Sequence, residues 1–158
     1  MPEQEPVSLL RQREIEARLV GPLYSAFAEE IGEERTREII ARIIRELAKE
    51  SGCAAAKHVG GNDIAKLAEA KERWQEGHAL TLEVIRQDDR ALDFNVTRCR
   101  YAEMYRALGL EHLGGLLSCN RDAAMIEGFN PAIKLTRTQT LMEGASHCDF
   151  RFRVEAED

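Results

Sequence analysis

The chain has 158 residues and a mass of 17.8 kDa, a length that forms one hydrophobic core rather than two. Its 22 Lys and Arg stand against 28 Asp and Glu, a net charge of −6, so it offers no global positive field for a nucleic-acid backbone. No apolar run approaches the ~20 residues that span a bilayer, and Met1-Pro2-Glu3-Gln4-Glu5-Pro6 lacks the basic start of an export signal. These features point to a soluble, cytoplasmic protein without nucleic-acid or membrane partners.

The first half reads as helix. Ser8 to Val20 sets Leu9, Leu10, Ile15 and Leu19 among charges until Gly21-Pro22 interrupts, because proline breaks the preceding hydrogen-bond ladder and suits a new first turn. Leu23, Phe27 and Ile31 follow at four-residue spacing, and Gly32 supplies a stop. Glu33 to Ser51 carries the stripe Ile39, Ile40, Ile43, Ile44 and Leu47, the mark of an amphipathic helix. Gly52 ends that run or bends it, Gly60-Gly61 breaks the chain, and Asn62 is placed to cap a helix to Glu76.

The second half changes period. Leu80, Leu82 and Val84 alternate with polar residues over Ala79 to Ile85, as do Leu92, Phe94 and Val96 after the turn at Gln87-Asp88-Asp89-Arg90, which predicts a β-hairpin. Helical spacing returns from Arg100 to Leu108; a short segment Glu111 to Leu117 and a short helix Asn120 to Glu127 follow. Ala132 to Met142 and Cys148 to Val154 read as a last strand pair. The expected fold is α+β: a helical N-terminal half packed on an antiparallel sheet of two hairpins, with short helices between them. One domain spans 1–158, with a disordered tail over 1–7, a helical part over 8–76 and an α+β part over 79–155 that holds the site.

Four cysteines, Cys53, Cys99, Cys119 and Cys148, are spread without a CxxC pair, which in a reducing compartment makes them thiols, ligands or small buried residues. Cys99 and Cys119 each precede an expected helix, whose free N–H groups and dipole favour a thiolate; each is equally well a small buried residue. Asp122 stands one turn beyond Cys119, there to act as acid or base, or to satisfy the helix dipole. Arg137 breaks the row Ile133, Leu135, Arg137, Gln139, Leu141, which implies either a strand edge or a polar cavity where its guanidinium grips a carboxylate. Cys148 heads the core-like row Cys148, Phe150, Phe152, Val154, and His147 lies beside the turn. The close ligand pairs of structural zinc sites do not occur, so neither a metal nor a cofactor is expected. The apolar stripes of the first helices serve either to pair two copies as a homodimer or to pack within one chain.

Several stretches carry a resemblance. They are Phe94-Asn95-Val96-Thr97-Arg98-Cys99-Arg100-Tyr101-Ala102-Glu103 with Leu108-Gly109, then Cys119-Asn120-Arg121-Asp122, Gly128-Phe129-Asn130-Pro131, and Gly144 with Cys148-Asp149-Phe150. In that order they resemble the L-2-amino-thiazoline-4-carboxylic acid hydrolase family, and the helical first half is similar in layout. The resemblance implies a hydrolase that opens a small cyclic isothiourea to an N-carbamoyl amino acid, with Cys99, Cys119, Asp122 and Cys148 among its motif positions. The resemblance assigns these positions no roles; for such a reaction Cys119, Asp122 and Cys99 are expected to serve catalysis, Cys119 as nucleophile from its helix-start position and its spacing to Asp122, and Asn95, Arg98, Arg137 and Cys148 to hold the substrate. The closing Cys-Asp-Phe strand is also similar to vinyl-reductase-type domains, which implies a binding or sensor domain without turnover. A cysteine-rich metal module is the third alternative.

Overall fold

A computed structural model describes residues 6–155; residues 1–5 of the expected tail lie outside the described residues. The Ser8 hydroxyl accepts from the Arg11 amide at 3.2 Å and starts helix α1, Leu9–Ile31. The expected break at Gly21-Pro22 is not one: α1 runs through both residues. Proline removes one ladder bond, and this loss is absorbed because the turns around it are held by packing. Gly21 is buried so closely against Leu110 that a Cβ there would lie 3.0 Å from both Leu110 methyl groups.

Helix α2 follows Gly32 and spans Glu33–Val59. Gly52, read as an end or bend, lies inside it as the place where α6, Arg121–Phe129, crosses. A Cβ at Gly52 would sit 1.9 Å from the Met125 carbonyl oxygen, and one at Gly128 1.9 Å from that of Lys49. The two backbones therefore touch through a pair of facing glycines. Asp63 rather than Asn62 caps α3, Ile64–Ala70, its carboxylate accepting from the Lys66 amide at 2.8 Å. A 3₁₀ stretch, Lys71–His78, carries Trp74 into the sheet.

The hairpin β1, Leu80–Gln87, and β2, Ala91–Cys99, forms as expected. With β3, Ile133–Thr136, and β4, Cys148–Val154, it makes one antiparallel sheet in the order β1-β2-β4-β3. The α+β architecture expected from the sequence is thus observed. The last strand pair is shorter than expected: β3 ends at Thr136, and a 3₁₀ turn occupies Leu141–Glu143. Asp149 explains the change, because its carboxylate accepts the Thr138 and Gln139 amides at 2.9 and 3.0 Å, leaving no ladder for Arg137 to join. Between the two halves run α4, Arg100–Ala107, and α5, Glu111–Gly114. A π-helical turn, Gly115–Cys119, leads from α5 through Asn120 into α6.

Two apolar clusters meet in the middle. One joins the sheet through Phe94, Phe150 and Phe152 to Ile64, Leu67, Ile126 and Phe129; the other gathers Ala17, Tyr24, Ile44, Tyr105, Leu113 and Leu117. Leu80 and Cys99 pack against both. The inward face of α1 is not its large apolar stripe: Arg13, Ala17, Gly21 and Tyr24 are buried, while Ile15, Leu19, Leu23, Phe27 and Ile31 are exposed. At mid-helix Ala17 and Gly21 let α1 approach its neighbours closely, with Arg13 and Tyr24 buried a turn to either side. On α2 likewise Thr36, Ile44, Ala48 and Gly52 are buried, while Ile43 and Leu47 remain exposed. Packing within the chain therefore leaves most of this stripe uncovered among the described residues. No described helix is long and apolar enough to cross a membrane.

Candidate functional site

A cavity of about 240 Å³ opens where the two clusters meet. Trp74, Val96, Met125, Met142 and Phe150 give it apolar walls, and Cys99, Cys119, Cys148, Asp122 and Arg137 project into it. Five side chains singled out in the sequence, drawn from β2, the π turn, α6, β4 and the segment after β3, are thus brought together. The cavity lies below the ~300–1,000 Å³ usual for drug-sized ligands, room for a small ring rather than a nucleotide cofactor.

Arg137 settles its alternative in favour of the cavity. The guanidinium donates from Nη1 to Asp122 Oδ2 and from Nη2 to the Cys119 carbonyl at 3.3 Å. Its Cζ stands 5.1 Å from the centroid of the Phe150 ring, within cation–π range. Burial pushes the Asp122 carboxyl above the usual carboxylate range, with Arg137 opposing that shift. Burial draws the Arg137 guanidinium down, but Asp122 and Cys119 reverse this and leave it raised.

The three thiols differ from the thiolates expected at helix starts. Cys99 does cap α4, its Sγ accepting the Ala102 amide at 3.4 Å. Even so, burial outweighs that bond and pushes the thiol up to about 11. Cys119 has no helix start to use, because the π turn feeds directly into α6 and the Asn120 amide is spent on the Gly115 carbonyl at 2.8 Å. Burial pushes its thiol up to about 12, the charge of Asp122 adding to the rise and Arg137 opposing it. Burial also raises Cys148, whose Sγ accepts the Leu141 amide at 3.2 Å. All three rest as neutral thiols at pH 7.

Two expected substrate ligands lie elsewhere. Arg98 is exposed and paired with Glu103 at 2.9 Å, and Asn95 accepts from Arg151 Nη2 at 2.9 Å. By strand alternation Asn95 occupies the opposite face of β2 from Val96. His147 also stays outside the cavity lining, its Nδ1 2.9 Å from the Ser146 hydroxyl. Cys53 is exposed, and its Sγ donates to the Gly128 carbonyl oxygen at 3.2 Å. No three His, Cys, Asp or Glu side chains among the described residues converge closely enough to hold a metal ion.

Sequence reasoning missed Arg13, Arg121 and Ser118 in the lining. Arg13 had a signal: it interrupts the inward row Leu9, Arg13, Ala17, Gly21, which the louder outward stripe concealed. The Tyr105 hydroxyl lies 2.7 Å from that of Ser118 and fixes it beside the cavity.

The sequence model of the L-2-amino-thiazoline-4-carboxylic acid hydrolase family matches residues 12–152. The chain belongs to this family. No curated protein sequence matches it. Among solved structures it is similar to the phenol-responsive sensory domain of the transcription activator PoxR, solved with phenol. The TM-score is 0.56 at 12% identity, over 98% of this chain and 79% of that one. It is also similar to a trafficking protein particle complex subunit 3 from Naegleria fowleri, covalently bound to palmitic acid. There the TM-score is 0.54 at 8% identity, over 92% of this chain and 96% of that one. Such likenesses establish a shared fold.

Proposed function

We propose that this member of the family is a hydrolase of a small cyclic isothiourea carboxylate, with L-2-amino-thiazoline-4-carboxylate as substrate and N-carbamoyl-L-cysteine as product. The observation that carries the proposal is the Asp122–Arg137 pair set into a small aromatic-walled cavity. One water adds to the ring carbon between nitrogen and sulfur, one of its protons passing to the ring nitrogen; the C–S bond breaks as the carbonyl forms, and the sulfur leaves as a thiolate that takes up the other proton. Asp122 accepts that proton and returns it; burial raises its basicity, which suits the role. Arg137 holds the Asp122 carboxylate in place, and the ring lies among Trp74, Phe150 and the thiols.

Cys119 as nucleophile is the second reading, favoured by its place one turn before Asp122. Its neutral thiol would attack the ring carbon only after giving its proton to that carboxylate; the ring C–S bond then breaks with the ring sulfur leaving as a protonated thiol, and water hydrolyses the remaining isothiourea adduct to the urea and frees Cys119. A binding domain without turnover is the third, favoured by the apolar walls alone. Product formation from L-2-amino-thiazoline-4-carboxylate, followed by mass spectrometry, separates the three. Asp122→Asn should lower turnover by about 10²-fold or more, with Cys119→Ala keeping at least a tenth of it if water attacks directly. Loss of product with Cys119→Ala as complete as with Asp122→Asn would establish the covalent route. Thermal stabilisation by the compound without product from the native protein would establish the binding domain.

A further inference from the structure

The cavity holds more positive charge than the Asp122–Arg137 pair uses. Arg13, Arg73, Arg121 and Arg137 line it, with Asp122 as the one acidic residue in the lining. Arg73 is exposed, but the side chains of Arg13 and Arg121 are only 10% and 12% exposed. They share a single carboxylate, Glu16, which accepts from Arg13 Nη1 at 2.9 and 3.0 Å and from Arg121 Nη2 at 3.4 Å. Arg121 Nε donates to the Leu117 carbonyl at 2.7 Å. Among the described residues this leaves Nε and Nη2 of Arg13 and Nη1 of Arg121 without acceptors, and none of these nitrogens is sealed from solvent. Arg13, Arg121 and Arg137 against Glu16 and Asp122 leave one positive charge uncompensated beside the cavity, which an entering anion would balance.

We infer that Arg13 and Arg121 form an anion subsite that takes the carboxylate of a small cyclic monocarboxylate. Arg137 is already committed to Asp122, so the two ends of the cavity have separate tasks: α1 and the start of α6 hold the acid group, and Asp122 with the thiols faces the ring. The planar guanidinium forks match a carboxylate in shape, and one negative charge balances the excess where a dianion would overshoot it. Burial and the neighbouring Arg13 both pull the Arg121 guanidinium down, a strain that a carboxylate between them relieves. The inference rests on the proposed function only for the identity of the ring, not for the acid group.

Calorimetric titration tests it with two acid–amide pairs: L-2-amino-thiazoline-4-carboxylate with its carboxamide, and benzoate with benzamide. The native protein should bind an acid about 10- to 100-fold more tightly than its amide, the range for a charge-assisted fork. Arg13→Gln and Arg121→Gln should erase that advantage while leaving amide binding unchanged, and Arg121→Lys should restore part of it; melting curves confirm that each variant is folded. Arg137→Gln should weaken acid and amide alike. Benzoate binding with these dependences, without binding of the thiazoline acid, would support the subsite and overturn the proposed substrate. Acids binding no better than amides, or an advantage lost selectively with Arg137→Gln, would overturn the subsite itself.

Discussion

Alanine at Gly52 or Gly128 should destabilise the protein, although alanine ordinarily improves a helix. In an uncrowded helix interior the exchange favours folding by about 0.5–1 kcal/mol, through helix propensity and the lost freedom of the unfolded chain. Here the added Cβ would lie 1.9 Å from a carbonyl oxygen of the facing helix at either position. Both atoms belong to backbone, so α2 and α6 must part by about 1 Å, and overpacking of this kind costs about 3 kcal/mol or more when side chains cannot yield. The net loss is about 2 kcal/mol. Urea unfolding followed by circular dichroism would read it as a midpoint lower by about 1 M. Gly115, with nothing within 4 Å of its Cβ position, is the control, and Gly115→Ala should be neutral or stabilising. Unchanged or raised midpoints for Gly52→Ala and Gly128→Ala would refute the close helix crossing.

Other outcomes follow from the site. In the native protein at pH 7, 5,5′-dithiobis(2-nitrobenzoate) should rapidly titrate one thiol, Cys53, with all four reacting after unfolding; a second fast thiol would contradict the neutral state of half-buried Cys99 and Cys119 and of buried Cys148. Asp122 carries a folded pKa raised above its unfolded value, so its contribution to stability is present at low pH and is lost as pH rises through the folded pKa. Asp122→Asn should remove that decline from stability–pH curves, together with the rising limb of the pH–rate profile. Asp149→Asn should cost about 1–3 kcal/mol, because a neutral side chain replaces a carboxylate accepting from the Thr138 hydroxyl and the Thr138 and Gln139 amides, and the cost should vanish on acidification, since burial raises the Asp149 carboxyl but these bonds, the Thr138 hydroxyl first, outweigh it and leave it lowered. Stability that is indifferent to this substitution at neutral pH would show that Asp149 does not hold the segment bearing Arg137.

Arg137 and Asp122 were legible because each breaks a local pattern: a charge inside an apolar strand row, and an acid one turn from a cysteine. The hairpin was legible for the complementary reason, alternation being a local signal. What escaped the sequence depends on contacts between distant segments. Gly52 and Gly21-Pro22 look like breaks until α6 is seen against Gly52 and Leu110 against Gly21, because tertiary packing overrides local preference. Arg13 was hidden since the largest apolar residues of α1 face outward, reversing the usual inference from a stripe to a core. The thiolate expected at Cys119 required a helix start that the π turn removes. Arg98 and Asn95 belong to a motif stretch, yet strand alternation and the pair with Glu103 turn them from the cavity.

The π turn at Gly115–Cys119 also makes the site depend on residue count as much as on residue kind. Such a turn holds one more residue than an α-helical turn, which advances everything after it by about 100° around the helix axis. Leu113 before it faces the core, and Asp122 and Arg121 after it face the cavity. A chain shortened by one residue here could close the stretch as ordinary α-helix with no loss of hydrogen bonds. Its α6 would then be rotated out of phase, with Asp122 swung from Arg137 and Arg121 from Arg13, a helix intact in length and composition but dialled to the wrong face.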